Sequence, residues 1–449
     1  MSKPLINMAK YLMTLIYKLA VFLVFFSFNI GAADQEVAEF SLSENVVTER
    51  SFEPPSSIEK TLLAPFYIPE YLLRTIFWPI EKTIEFGEKV DLPNRTKDFF
   101  SNEDHTIWFY PLIAYSIDEG HSLGLNFKKI NLNSNNKRLK ASYRHYANND
   151  YNTKLFLKRP WNENLIYEIS IEVLDNSNEK YYGIGEQTKN LTKTVYSDQQ
   201  SRIQYDLISS LKNIRFLSLS GVIAFSTTKT KHSPSAESDE PSSEDVFTEL
   251  PSIGFGKTLD FFEYGIGINY NSSHPSGYPY IGQVLEASLT HGYPIKDNDF
   301  EYIKTQLKIS QFFDVYKKNR IVVVGFRYHA VYGNHKKIPF YELATLGKSN
   351  LLRGFPVGRF RDRKSISANI EYQFPIWQAF IPNQTYGIAK VFFDTGQTFG
   401  DFSEINRQQF YSSSGLGLTL AKPNEFMISA EIAYGGEDVQ ALLSFSRNL

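Results

Sequence analysis

From residue 106 to the C-terminus, the chain consists of short segments in which apolar and polar residues alternate. Residues 165–173 and 426–434 are clear examples, with Leu, Ile, Val, Phe, Ala or Tyr at every second position and mainly Glu and Ser between them. A period of two places the two sets on opposite faces of a strand. The pattern therefore predicts an all-β fold, with each strand exposed to two different environments.

About sixteen such segments can be counted, an even number suited to an outer-membrane barrel. They lie near residues 106–117, 120–130, 137–147, 151–160, 165–174, 198–209, 212–227, 261–272, 280–293, 299–313, 319–331, 365–375, 386–396, 411–421, 425–434 and 438–448. A further strand or a surface hairpin is open for residues 247–260. We predict a transmembrane antiparallel β-barrel of about 16 strands over residues 105–449. A soluble sandwich or propeller, which also alternates, is the competing fold.

The composition supports a membrane barrel and excludes several other classes. The 28 Tyr and 36 Phe among 449 residues suit the aromatic girdles of outer-membrane barrels. The net charge of −2 gives no strong field for nucleic acid, so no nucleic-acid partner is predicted. The absence of Cys excludes disulfides, a thiol nucleophile and Cys-based metal sites.

The N-terminal residues have the features of a signal peptide. Three lysines precede an apolar run over residues 19–28, and the small residues 31–33 offer a cleavage site before Asp34. The alternative is a membrane anchor, but this run is shorter than the roughly 20 residues that a spanning helix needs. We therefore predict a signal peptide over residues 1–33 and export of the mature chain.

Residues 34–104 are predicted to form a periplasmic arm. The first part is polar, whereas residues 65–100 have apolar side chains at helical spacing, interrupted by Pro79, which should kink or restart the helix. This short helix is a candidate plug for the barrel, or it lies on the inner membrane face. An ordered linker is the alternative. The arm is also the candidate site for a periplasmic partner or client.

Several motifs occur in a fixed order over residues 338–400. They are IPFYELATLG, then Leu-Arg-Gly-Phe at residues 352–355, then EYQFPI and FFDTG. Together they resemble the BamA/TamA family of outer-membrane barrels, with its RGF/RGY signature in the sixth surface loop. The resemblance implies an assembly or translocation barrel in the outer membrane of a Gram-negative bacterium. The arm departs from the family, because it has no alternating strands where polypeptide-transport-associated domains usually stand.

The resemblance also implies that the sixth surface loop is pinned to the inner wall. Alternation puts Glu371 and Asp394 on the polar face of neighbouring strands, within reach of a loop that carries Arg353. The guanidinium group of Arg353 is a planar fork suited to carboxylates. Gly354 permits a close backbone approach, and Phe355 supplies an apolar contact. The alternative for Arg353 is a solvated surface side chain.

A charge run follows this signature. It comprises Arg359, Arg361, Asp362, Arg363 and Lys364, which either support the loop and line the lumen or form a solvated loop. The sequence favours the solvated loop.

The two ends of the barrel sequence are predicted to meet at a weak seam. Pro111 lies in the first strand, where it removes a ladder donor and suits an edge. Phe445 lies in the last strand and is expected to serve in part as the terminal aromatic residue with which many such barrels end. The resemblance implies that this seam opens towards the membrane. The alternative is that Pro111 sits at a rim.

No catalytic or cofactor-binding motif was found. The sequence has no HExxH, P-loop or GxSxG pattern, and its eight His are scattered. We therefore predict neither an enzyme nor a bound cofactor or metal. The favoured function is insertion or translocation of protein, or of envelope lipid or polysaccharide, with outer-membrane lipid as the surrounding partner. The alternative is a passive pore or a structural surface antigen.

Overall fold

The computed structural model describes most of the chain from residue 98 onward and part of a helix before it. The described residues are 70–71, 73–80, 82–83, 86, 98–116, 120–130, 137–146, 150–185, 188, 193–211, 214, 216–237, 240–274, 279–295, 299–316, 320–334, 336–347, 352–378, 386–422 and 426–446. The predicted signal peptide and most of the predicted arm lie outside these residues and stay predictions.

Sixteen strands form one antiparallel sheet in which each strand pairs with the next along the chain. They are β1 (Ile107–Ser116), β2 (Gly120–Ile130), β3 (Arg138–Tyr146), β4 (Tyr151–Asn162), β5 (Leu165–Tyr181), β6 (Thr194–Ser210), β7 (Leu217–Lys231), β8 (Thr258–Asn271), β9 (Gly282–Pro294), β10 (Tyr302–Tyr316), β11 (Arg320–Tyr332), β14 (Lys364–Gln378), β15 (Tyr386–Phe399), β16 (Tyr411–Lys422), β17 (Phe426–Tyr434) and β18 (Val439–Ser446). Two short strands, β12 (Ala344–Leu346) and β13 (Phe360–Asp362), pair separately within the loop between β11 and β14.

The predicted fold class is confirmed, because all sixteen predicted segments are strands of this sheet. The open region 247–260 adds no strand of its own. It contains a single 3₁₀ turn over Leu250–Ile253 and then the start of β8 at Thr258. The pair β12 and β13 was missed, since strands of three residues are too short to display a period.

The two faces of the sheet carry opposite chemistry. Ile203, Tyr205 and Leu207 of β6 are exposed, as are many apolar side chains on other strands. The residues between them are polar, and Arg202 donates two hydrogen bonds to the buried Glu263 of β8. An apolar exterior with a polar interior is the arrangement that a barrel needs in a bilayer. The exposed face is called the outer wall below, and the polar face is called the lumen wall.

The helix that precedes the barrel includes residues 70–71, 73–80 and 82–83, and is called the N-terminal helix here. Described residues are helical on both sides of Pro79, whose carbonyl oxygen accepts a 2.9 Å hydrogen bond from the Thr83 hydroxyl. Leu73, Phe77 and Ile80 are buried at helical spacing, so the helix is amphipathic. The side on which the sequence placed the apolar face is wrong except for Ile80, because its members Tyr71, Thr75 and Pro79 are exposed. Among the described residues, no helix combines the length and apolar character needed to cross a membrane.

Candidate functional site

Arg353 lies in the loop between β11 and β14 and is buried against the lumen wall. Its Nη2 and Nε donate to the two carboxylate oxygens of Asp394 at 2.7 and 3.0 Å. The backbone N–H of Arg353 also donates to Asp394, at 3.1 Å. This geometry is the bidentate fork that a guanidinium group makes with a carboxylate, strengthened by a third bond from the main chain.

Two further carboxylates complete the surroundings of the guanidinium group. Nη1 of Arg353 donates to Glu371 at 2.9 Å and to Glu431 at 3.3 Å. The second oxygen of Glu431 pairs with Lys390, which is also buried. Two cations therefore face three carboxylates on β14, β15 and β17. We call these five residues the lumen cluster.

The electrostatics of the cluster keep Arg353 charged. Burial alone would lower the pKa of its guanidinium group, because a charged group loses hydration. Hydrogen bonding to Asp394 and the charges of Glu431 and Glu371 outweigh burial and raise that pKa above its ordinary value. The ring of Phe392 lies under the guanidinium carbon, with 3.3 Å from that carbon to the ring centroid. The stacked ring adds a cation–π contact.

Gly354 brings the loop into contact with the turn between β17 and β18. A Cβ at Gly354 would lie 2.5 Å from the backbone nitrogen of Gly435 and 2.6 Å from Cβ of Ser413. Neither is the end of a flexible side chain, so any larger residue must displace the backbone. Gly435 is equally restricted, because a Cβ there would lie 2.4 Å from the ring of Phe355.

Phe355 lies in a small apolar cluster inside the loop. Its buried ring packs edge-on against Phe360, and Phe360 stacks on Tyr411 of β16 with 3.8 Å between ring centroids. Leu346 and Leu352 complete the cluster. The loop thus has its own apolar core between β12, β13 and the wall, in addition to the polar contacts of Arg353.

The charge run was predicted to form a solvated loop, but this prediction is wrong for most of its cations. Arg359 is buried, with its Nε 2.8 Å from Glu437 and its Nη1 donating to the carbonyl oxygen of Thr188 at 2.5 Å. Arg361 is buried and donates to the carbonyl oxygen of Phe340 at 2.7 Å. Lys364 is buried at the start of β14. These side chains donate to carbonyl oxygens outside the strand ladders, which a charge pattern in sequence cannot reveal.

The end of β5 and the loop after it also contact these arginines. Tyr181 is buried and meets Phe340 edge-on at 5.5 Å between centroids. The glycines that follow, Gly183 and Gly185, have φ of 94° and 55°, which lie in the backbone region that favours glycine. The loop between β11 and β14 is therefore packed at several levels along its length.

The first and last strands are the two ends of the sheet. A few Cα atoms of β1 and β18 lie within 8 Å of one another, but within the described residues no ladder joins the two strands. Pro111 lies opposite Leu125 of β2, and Phe445 lies opposite Ile428 of β17. Both predicted seam residues are therefore in the edge strands.

The structure brings Arg353, Glu371 and Asp394 together as the sequence predicted. It adds Glu431 and Lys390, which sequence reasoning missed as ligands of the cluster. The alternation of β15 and β17 already put both on the polar face. Only the register, which pairs Lys390 with Gly417 and Gly417 with Glu431, brings them to the same level.

One group of metal-ligand types was also missed, since its members are separated along the chain. His232, Glu244 and Asp245 lie together at the surface, with ligand atoms within 4.8 Å of one another. His232 Nδ1 is 2.7 Å from the carboxylate of Glu244. A hydrogen bond explains this contact without an ion.

Comparison with known proteins identifies similar domains. A family model described as the Omp85 superfamily domain matches residues 108–442. The structure is similar to BamA from Haemophilus ducreyi lacking POTRA domains 1–3, with a TM-score of 0.55 and 16% identity over 76% of this chain and 70% of that chain. It is also similar to CdiB from Escherichia coli, with a TM-score of 0.51 and 11% identity over 75% of this chain and 61% of that chain. These two structures support the barrel fold.

Proposed function

The chain belongs to the Omp85 superfamily, and from that premise we propose that it inserts or translocates cargo at the outer membrane of a Gram-negative bacterium. The cargo is protein, or envelope lipid or polysaccharide. The family consists of assembly and transport barrels rather than enzymes. The working parts are the loop pinned by Arg353 and the seam between β1 and β18.

The proposal is supported by the contrast between a loop with many contacts to the wall and edge strands that share no ladder among the described residues. The loop is held by Arg353 through three carboxylates and a stacked ring. The edge strands β1 and β18, by contrast, share no ladder among the described residues. A cargo strand can add to an open sheet edge by main-chain hydrogen bonds, which gives affinity without demanding one sequence.

Pro111 is consistent with this use of the seam. Proline has no N–H to donate, so β1 offers an interrupted row of donors at that position. A permanent β1–β18 ladder is weakened there, while a transient partner can still use the other positions. The predicted signal peptide would deliver the chain to the periplasm before insertion, and the arm before the barrel is the candidate contact for a periplasmic partner.

The experiment that tests the function is depletion of the protein, followed by quantitative profiling of the outer membrane. Barrel proteins, lipopolysaccharide and surface polysaccharide are measured together. Selective loss of one class from the outer membrane is expected and identifies the cargo. An unchanged envelope would overturn a non-redundant role in assembly.

The seam is tested in the same depletion strain by complementation with locked variants. A Cys pair joining β1 to β18 is compared with Ile370→Cys/Phe393→Cys, which are opposite each other in β14 and β15. Because the chain has no native Cys, each pair is the only one that can oxidise. Loss of complementation on oxidation is expected for the seam pair alone. Full function of an oxidised seam would refute lateral opening.

The second candidate is a passive pore, and a cavity lined partly by polar side chains favours it. A cavity of about 480 Å³ lies at the lumen wall and is lined by residues that include Glu286, Arg327 and Ser367. Conductance in lipid bilayers separates the two functions. Steady, large, ohmic currents indicate a pore, whereas small flickering currents indicate a barrel filled by its loop.

A further inference from the structure

The apolar face of the N-terminal helix contacts strands β14–β17. Leu73, Phe77 and Ile80 form one buried cluster with side chains of these strands. The strand residues of that cluster are Phe374, Ile376, Ala389, Leu418, Leu420 and Ala430. They lie near the end of each strand that is opposite to the pinned loop, since β14 starts at the loop and reaches Phe374 ten residues later.

These contacts are on the outer wall. Lys390 and Glu431 belong to the lumen cluster, and Ala389 and Ala430 are their immediate neighbours in sequence. Successive side chains of a strand point to opposite faces, so both alanines face away from the lumen. A helix inside the barrel would contact Lys390 and Glu431 rather than the two alanines. The described contacts therefore give no support to the plug considered from the sequence.

A buried ion pair fastens the start of the helix to the same wall. Glu70, which is 3% exposed, accepts two hydrogen bonds of 2.9 Å from Nε and Nη2 of Arg320, the first residue of β11. The hydroxyl of Tyr372 donates to the same carboxylate at 3.3 Å. Arg74 donates to the carbonyl oxygen of Pro375 at 3.1 Å, where a bulge interrupts the ladder of β14. The polar contacts and the buried apolar cluster therefore place the helix at the same part of the outer wall.

The opposite face of the helix is aromatic and exposed. Tyr71 is 71% exposed and Trp78 is 56% exposed, and they are separated by two helical turns, so they share one side. Tyr and Trp are the residues that favour the boundary between headgroups and acyl chains. A helix with one face on a barrel wall and aromatic side chains on the other is suited to a membrane interface.

We propose that the N-terminal helix is an external strap: it binds the outer wall of β14–β17 and inserts Tyr71 and Trp78 among the phospholipids of the periplasmic leaflet. The leaflet follows from the outer-membrane orientation assumed in the proposed function, in which the pinned loop faces outwards. The strap joins five strands, from β11 to β17, that surround the lumen cluster. Its partner is a lipid surface, not a client protein.

Cross-linking tests which face of the wall the helix contacts, whatever the cargo of the barrel is. Phe77→Cys is combined in turn with Phe374→Cys, Leu418→Cys or Ala430→Cys on the outer wall. The matched controls combine Phe77→Cys with the adjacent lumen-facing Gln373→Cys, Thr419→Cys or Ser429→Cys. The protein is oxidised in outer membranes, and only the fraction with folded gel mobility is scored.

Disulfide formation is expected for the outer-wall set and not for the lumen set. Cross-linking of the lumen set would establish a plug and overturn the strap. Absence of cross-linking in both sets would overturn it as well, because the helix would then contact neither face. Since the assay needs no transport activity, its result is independent of the proposed function.

Lipid contact is tested with a fluorophore attached to Trp78→Cys in vesicles of phosphatidylethanolamine and phosphatidylglycerol. Ile266→Cys, on the exposed outer wall, is the lipid-facing reference, and Glu237→Cys, in the exposed loop after β7, is the aqueous reference. Spin-labelled lipids are expected to quench the label at residue 78 to within about twofold of the label at residue 266. Quenching as low as that at residue 237 would overturn the lipid contact.

Discussion

The two parts of the barrel that flank β18 are held together very differently. On one side, strands β14–β17 carry the carboxylates that bind Arg353 on the lumen wall and contact the N-terminal helix on the outer wall. On the other side, β1 meets β18 without a ladder among the described residues. The difference suggests that side-chain contacts, and not ladder hydrogen bonds alone, contribute to the stiffness of a barrel wall. Described side chains pack on both faces of β14–β17, and we expect this part of the wall to be stiffer than the seam.

The largest expected effect comes from removing the centre of the lumen cluster. Arg353→Ala leaves three carboxylates buried without their main cation, and breaking a buried ion pair costs roughly 3–5 kcal/mol of folding free energy. We expect lower folded yield and loss of heat resistance, measured by gel mobility without boiling and by urea unfolding in detergent.

Arg363→Ala is the matched control for that change. Arg363 is in the same loop and has 18% of its side chain exposed, but its partner Asp401 has 60% exposed, so water can solvate that carboxylate when the cation is removed and the loss should be smaller. If the two alanine variants unfold at the same urea concentration, the lumen cluster does not brace the wall.

A second effect is expected from the contact between the loop and the last turn. Gly354→Ala places a methyl group against the backbone of Gly435, and forced overpacking costs about 1–3 kcal/mol. Gly221→Ala is the control, because a Cβ at Gly221 meets nothing within 4 Å. The midpoint of urea unfolding should fall for the first variant only. Equal midpoints would mean that the loop can retreat from the turn without cost.

A smaller effect is expected on the outer wall of β14–β17. Glu70→Ala removes both bonds to Arg320, but the helix can then detach and let Arg320 reach water, which limits the loss to about 1–2 kcal/mol. Limited proteolysis should cut the N-terminal helix faster while the barrel keeps its heat resistance. Glu301→Ala, which removes an exposed carboxylate paired with His291, should leave the cleavage rate unchanged.

The smallest effect on stability is expected at the seam. Pro111→Ala adds one N–H to an edge strand and should change the free energy of unfolding by about 0.5 kcal/mol or less. We expect complementation of the depletion strain to weaken instead, because a more complete β1 pairs better with β18. Pro160→Ala, in the interior strand β4, is the control for a Pro change away from the seam. A large loss of stability in Pro111→Ala would mean that the seam contributes to stability as strands β14–β17 do, which contradicts the difference proposed between them.

The sequence predicted the strands well because membrane strands have one simple rule, an apolar face towards lipid and a polar face towards the lumen. The same rule placed Glu371 and Asp394 on the side that Arg353 reaches. It could not select Glu431 from the many polar residues of the lumen wall, since alternation gives the face of a residue and not its level along the barrel. That information is in the register between β15, β16 and β17.

The burial of the charge run and the location of the N-terminal helix could not be predicted from the sequence for a different reason. Arg359 and Arg361 are buried where they donate to carbonyl oxygens of irregular backbone, at Thr188 and Phe340. Helical periodicity predicted the helix but not its buried side, because apolar residues occur around most of its circumference and Tyr71, Thr75 and Pro79 are exposed. An apolar face also fits the inside or the outside of a wall equally well. Only the contacts with Ala389 and Ala430 distinguish the two.

The turn that follows β17 connects one end of the last strand to the loop between β11 and β14. Gly435 touches Gly354, and Glu437 pairs with Arg359, so the end of β18 nearest the pinned loop is tied to that loop. Among the described residues, the buried cluster of the helix includes residues of β14–β17 and none of β18. If the seam opens as proposed above, we expect the gap beside β18 to be wider at the end of the strand away from the pinned loop, which faces the periplasm in the proposed orientation.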